Sequence, residues 1–133
     1  MSGTDHRIAE LAARLEARPA LVLSGAGLST ESGIPDYRSP QALARAREPM
    51  RFQAFVADEA ARQHYWARSH VGWSTMRKVE PNAGHHAVTE LQELGAVTAV
   101  LTQNVDGLHQ RAGSTNVVEL HGSLARVRCL NCK

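Results

Sequence analysis

The chain has 133 residues, 43% hydrophobic and 21% charged, with a formal net charge of +2. That length fits one domain or less, and the composition is that of an ordinary globular protein, so nothing forces disorder. Basic residues are spread along the chain and aromatics make up only 5%, which excludes a clustered nucleic-acid groove, and neither a signal peptide nor a membrane-length apolar run is present. No nucleic-acid or membrane partner is expected, the expected location is cytoplasmic, and the oligomeric state is not legible.

Ile8, Leu11, Ala12 and Leu15 recur at helical spacing, predicting an amphipathic helix from about Asp5 to Glu16 that Pro19 stops. Ala20-Leu21-Val22-Leu23 is a continuous apolar run suited to a buried parallel strand. It leads into Ser24-Gly25-Ala26-Gly27, and a strand followed by a glycine turn opens a nucleotide-binding βα unit. Gly33 to Pro40 carries one glycine and two prolines and reads as an extended loop. From Arg51 to Met76 the residues suit two or three short helices with a break near Gly72. Asn82 is a plausible cap for a helix marked by Val88, Leu91 and Leu94 and ended by Gly95. Val97 to Leu101 is a second buried strand, a polar loop and short helix run to Gly113, and Val117 to Leu120 is a third strand. Strands alternating with helices imply an α/β fold with a parallel sheet.

Three loops carry candidate chemistry. Gly25 and Gly27 let the backbone approach a pyrophosphate, although Thr30 stands where the dehydrogenase fingerprint needs its third glycine. A tight turn without a ligand is the competing reading. Gln103, Asn104, Asp106 and His109 follow the second strand, so they open onto the same crevice as the glycine turn; Asn and Asp as plain turn formers are the alternative. His121-Gly122 follows the third strand, where an imidazole can act as a general base or serve structure alone. Cys129 and Cys132 form a CxxC pair, which suggests metal or redox chemistry. A closed zinc site needs four ligands, so the pair is either redox-active or half of a site.

Taken together these segments resemble the sirtuin family. Gly25 through Arg38 (GAGLSTESGIPDYR) is similar to its cofactor loop, Thr102 through His109 (TQNVDGLH) to its second signature, Leu120-His121-Gly122 to its third, and Cys129-x-x-Cys132 to half of its zinc ribbon. All four stand in the family's order. The stretch His64-Tyr65-Trp66-Ala67-Arg68 and Val71-Gly72-Trp73 resembles the class II branch, which holds lipoamidase and ADP-ribosyltransferase types.

The resemblance implies a protein-lysine deacylase that consumes NAD as co-substrate, with an acylated-lysine protein as substrate and a structural zinc. It implies that Gly25, Ala26 and Gly27 line the phosphates, with Ser29 and Glu31 beside them. Asp36, Tyr37 and Arg38 would sit on a mobile cofactor loop, Tyr37 shielding the ribose from water. An ion pair of Asp36 with Arg38 and simple packing of Tyr37 are the plainer readings. Gln103 and Asn104 would hold the nicotinamide ribose, Asp106 the carboxamide, and His121 would be the general base, so activity should fall on acidification. Tyr65 and Arg68 share a helix face and would read an acidic acyl group; otherwise Arg68 is a solvated surface residue and Tyr65 packs.

The implied fold is a partial Rossmann-like, doubly wound parallel sheet with a helical insertion and the start of a zinc-ribbon domain. Residues 1–50 form its first βα unit and cofactor loop, 51–80 the insertion, 81–125 the second segment with His121, and 126–133 the truncated zinc module. The family continues with a second cysteine pair and the rest of the cofactor domain. The chain is therefore expected to be a fragment, unstable and inactive alone. An NAD- or ADP-ribose-binding module without turnover and an ADP-ribosyltransferase are the alternatives; a hydride-transfer dehydrogenase is disfavoured by Thr30 and His121.

Overall fold

The computed structural model describes residues 3–35 and 48–132. Helix α1 (Gly3–Ala17) carries Asp5 in its first turn and Arg14 in its last, matching the helix dipole, and Arg14 pairs with Glu10 one turn back at 2.7 Å. Its chain then enters β1 (Ala20–Ser24), and a 3-10 helix (Ala26–Ser32) follows the glycine turn. Gly33 ends that helix in the left-handed region at φ 86°, with its N–H returned to the Thr30 carbonyl.

Two helices occupy the aromatic stretch, α2 (Phe52–Ala57) and α3 (Glu59–Met76), with Asp58 accepting from the Ala60 N–H at the junction. The expected break at Gly72 is absent: the residue lies inside the 18-residue helix α3. One interior glycine costs only about 1 kcal/mol relative to alanine, and the flanking turns carry it.

Helix α4 (Ala83–Glu93) starts at Asn82, whose side chain accepts from Gly84 and His85 while His85 accepts from the Asn82 N–H, a reciprocal capping box. Asn82 also donates to the Leu28 carbonyl at 2.7 Å, which seats the start of α4 on the 3-10 helix. The approach is close enough that a Cβ on Gly84 would lie 2.8 Å from Leu28 Cδ1. Strand β2 (Val97–Thr102), short helix α5 (Leu108–Arg111) and strand β3 (Val117–Glu119) complete the order.

The three strands form one parallel sheet in the order β1-β2-β3. Ser24 pairs with Thr102 and Thr102 with Glu119, so the carboxyl ends of all three strands stand abreast. Val97, Ala99 and Val100 of β2 and Leu108 of α5 form the apolar core, and buried His85, Thr89, Thr102, His109 and Ser114 extend it. Strand β1 departs from the expected burial: Leu21 and Leu23 are 64% and 68% exposed, as are Ile8 and Leu11 of α1 at 62% and 57%. Burial alternates along β1: Leu21 and Leu23 share an exposed face, while Ala20, Val22 and Ser24 on the other are half-buried or buried. No helix among the described residues is long and apolar enough to cross a membrane.

Candidate functional site

The abreast strand ends set the site. The Gln103 N–H bonds the Ser24 carbonyl at 3.0 Å and the Leu120 N–H bonds the Thr102 carbonyl at 2.8 Å, so the ladder continues one residue past each strand. Beyond it the chain diverges into three loops around a cavity of about 880 Å³. Gly25, Ala26, Gly27, Ser29, Gln103, Asn104, Asp106 and His121 all line it. Three distant segments expected to converge therefore do so.

The glycine turn faces open space. Gly25 is extended, at φ −147°, and a Cβ added at Gly25 or Gly27 meets no protein atom within 4 Å. Neither backbone conformation nor internal packing demands glycine there. What a side chain would occupy is open space, as at Gly72 and Gly95, so the turn leaves room for a ligand close to its backbone without demanding one.

Asn104 has its amide fixed by its neighbours. Its Nδ2 donates to the Gly25 carbonyl at 3.1 Å and to Ser29 Oγ at 3.0 Å. Ser29 in turn donates its proton to Asp106 Oδ2 at 2.8 Å, so its oxygen can only accept from Asn104. Both amide hydrogens are thus engaged, and Asn104 Oδ1 remains as an acceptor for a ligand hydroxyl. Asp106 Oδ1 accepts the Leu108 N–H at 3.0 Å, which starts α5 and leaves each carboxylate oxygen a further lone pair.

His121 lies at the exposed rim. Its Nδ1 is 3.0 Å from the Gln103 carbonyl oxygen, which can only accept. The proton therefore sits on Nδ1 and Nε2 carries a free lone pair, the arrangement of a general base. Glu119, at the end of β3, pairs with Arg126 and anchors the segment that follows His121.

Running back from Ser24, which lines the cavity, is a buried polar layer that sequence reasoning missed apart from His109. Ser24 Oγ donates to Thr102 Oγ1 at 2.9 Å and lies 2.8 Å from His109 Nε2. The His109 ring meets the His85 ring edge to face, with centroids 5.1 Å apart. Burial pushes both imidazoles below the ordinary histidine range. For His85 the Asp106 carboxylate opposes that shift and His86 adds to it; for His109 the neighbouring His85 adds to it and Asp106 opposes it. The spacing from the Asn82 cap to His85 was the available signal for the first, but the ring contact joins distant segments.

Other expected site residues stand apart. Glu31 is exposed on the 3-10 helix and does not line the cavity. Tyr65 packs edge-on against Phe55 and Trp66, with centroids 5.1 and 5.3 Å away, beside a separate groove of about 350 Å³. Arg68 is exposed on α3, and neither it nor Tyr65 lines the larger cavity. Asp36, Tyr37 and Arg38 lie outside the described residues.

Cys129 and Cys132 are free and exposed. Hydrogen bonds from the backbone of Cys132 and of Asn131, and from the Cys132 thiol, hold the Cys129 thiol below its ordinary pKa. That suits a thiolate ligand, but no group of three or more metal-binding side chains exists among the described residues. The pair alone does not close a zinc site.

The fold is α/β, a partial Rossmann-like domain with its polar loops at the carboxyl ends of a parallel sheet. The model of the Sir2 family matches residues 25–133, and the chain belongs to that family. It is 57% identical over 125 residues to NAD-dependent protein deacetylase 1 of Streptomyces coelicolor, covering 94% of this chain and 42% of that protein. It is 55% identical over 123 residues to NAD-dependent protein deacetylase 1 of Mycobacterium avium, covering 92% of this chain and 43% of that one. The chain thus spans about two-fifths of the length of these curated relatives. Among solved structures, a Sir2–p53 peptide–NAD+ complex superposes with a TM-score of 0.78 at 35% identity, over 96% of this chain and 49% of that one. A Sir2 homologue–NAD complex gives 0.71 at 43% identity, over 84% and 44%.

Proposed function

We infer that this chain carries the nicotinamide-ribose half of the site of an NAD-dependent protein-lysine deacylase. The observation that carries the reading is that Gly25, Gly27, Asn104 and His121 line one cavity. The names of the Streptomyces and Mycobacterium relatives and the NAD and peptide held by the structural neighbours support it.

NAD supplies a glycosidic bond to nicotinamide that breaks when the acyl oxygen of a modified lysine attacks the ribose carbon. Gly25, Ala26 and Gly27 line its phosphates with backbone alone. Gln103 and Asn104 hold the ribose, Asn104 Oδ1 accepting from a hydroxyl. Asp106 accepts from the carboxamide. His121 Nε2 takes the proton of a ribose hydroxyl in the step that moves the acyl group, a role that requires a neutral imidazole. The likeness of His64–Arg68 and of Val71–Trp73 to the lipoamidase and ADP-ribosyltransferase branch supports assignment to class II. We take the chain by itself to bind ADP-ribose without turnover.

The test joins this chain to the remainder of the Streptomyces coelicolor relative and supplies NAD with an acetyl-lysine peptide. Peptide-dependent nicotinamide release, matched by deacetylated peptide and lost in His121→Ala, is expected. ADP-ribose binding without nicotinamide release would support a binding module instead, and label transferred from NAD to protein an ADP-ribosyltransferase.

A further inference from the structure

The backbone N–H groups of Asn82 and Asn104 favour one order of donors and acceptors behind the cavity. At one end, the Asn82 N–H points at His85 Nδ1 at 3.3 Å. A backbone N–H always donates, so Nδ1 is bare and the neutral ring carries its proton on Nε2. Asn82 Oδ1 also lies 3.0 Å from His85 Nδ1; it already accepts from the N–H groups of Gly84 and His85, so the competing tautomer, with Nδ1–H donating to Oδ1, would ask it to accept a third hydrogen bond. A proton on Nδ1 would confront the Asn82 N–H donor to donor.

At the other end, the Asn104 N–H and the Ser24 hydroxyl both donate to Thr102 Oγ1, at 3.1 and 2.9 Å. The Ser24 proton is thereby committed, so His109 Nε2–H donates to Ser24 Oγ at 2.8 Å and His109 Nδ1 is bare. His85 Nε2–H is then a buried donor and His109 Nδ1 a buried acceptor. Both atoms lack a protein partner, both residues are at most 1% exposed, and their rings are in contact. Buried polar atoms are almost always satisfied, and a single water is the usual group that joins two of them.

We propose that His85 and His109, joined by one buried water, form a proton-ordered relay from the cap of α4 to Thr102, and that this relay positions Asn104 in the cavity. Every proton on it points toward Thr102, where the Asn104 N–H meets it. Neither imidazole lines the cavity; both are positioning residues that act through Ser24 and Thr102. The positioning role rests on the reading of the cavity as an ADP-ribose site, whereas the proton order does not.

The proton order is tested on the chain labelled with 15N-histidine, whose ring-nitrogen resonances report the tautomer. Both rings are expected as Nε2–H with bare Nδ1, and Nδ1–H on either overturns the relay. Positioning is tested by calorimetry with ADP-ribose. His109→Leu should weaken binding about tenfold, while His109→Gln, which retains an N–H for Ser24, should stay within about threefold. Where His109→Leu does not fold, Thr102→Val, which removes the acceptor shared by Ser24 and the Asn104 N–H without touching the cavity lining, takes its place with the same expected loss. Wild-type affinity in a folded Leu or Val variant overturns the positioning role. If the unaltered chain binds no ADP-ribose, the reading of the site fails, and the tautomers decide the relay by themselves.

Discussion

The side-chain amide of Asn104 donates to the carbonyl oxygen of Gly25 at 3.1 Å, across 79 positions of sequence. This bond ties the loop after β2 to the glycine turn after β1, and with the Ser29 contact it fixes which end of the carboxamide faces the cavity.

Asn104→Asp removes both donated hydrogens and sets a carboxylate against the Gly25 carbonyl. Ser29 could then donate to the new carboxylate only by releasing Asp106. The expected loss is about 2 kcal/mol of stability, the penalty of partly buried groups left unpaired, together with at least about a tenfold loss of ADP-ribose affinity. Urea denaturation and calorimetry on the same variant measure the two.

Gly27→Ala separates fold from binding. Gly27 lies in a helical turn without a positive φ, and its added methyl meets no protein atom. Stability should therefore rise by about 0.5 kcal/mol, because alanine loses less entropy on folding. ADP-ribose affinity should fall, because the methyl enters the cavity. A thermal melt rising while binding weakens is the expected pair of results.

The buried imidazoles make stability depend on pH. Burial, the leading cause, holds His85 and His109 below the ordinary histidine range, against the opposing charge of Asp106. Between their folded and unfolded values the unfolded chain binds more protons, so stability is full above the unfolded value of about 6.5 and is lost as pH falls below it. Denaturation midpoints at a series of pH values from neutral to mildly acidic should decline, and the His109→Gln variant should flatten that decline.

The uncovered face of β1 gives a prediction about association. Leu21 and Leu23 stand exposed on the sheet, with Ile8 and Leu11 exposed on α1. Such apolar surface drives association and dye binding. Leu21→Thr places a β-branched residue suited to a strand and loses little buried area, so stability should change by less than about 0.5 kcal/mol. Sedimentation and a fluorescent apolar probe should report less association and less dye bound.

Much of this was legible in local sequence. Apolar runs gave the three strands, Asn82 gave the start of α4, and Gly95 its end. Convergence of Ala26, Asn104 and His121 followed from parallel strands, since loops after parallel strands share one edge. What failed depended on distant contacts. A glycine such as Gly72 breaks a short helix but not a long one, and its sequence neighbourhood does not say which it occupies. Burial of β1 was inferred from its own residues, yet burial is set by what packs across it. Ser24 and His109 were read as members of two separate loops and His85 drew no expectation, and only the fold joins the three. Tyr65 and Arg68 are spaced to share a helix face as expected, and neither lines the larger cavity, although Met76, about three turns on from Tyr65 along α3, does.

The most direct test is a titration of the 15N-labelled chain with ADP-ribose, followed through the backbone amides. The account predicts that the largest shifts fall together at Gly25–Ser29, Gln103–Asp106 and His121, while α1 and the Cys129–Cys132 turn stay unmoved. No shifts at all, shifts in only one of those three segments, or shifts centred on the aromatic groove beside Phe55 and Tyr65, would contradict it.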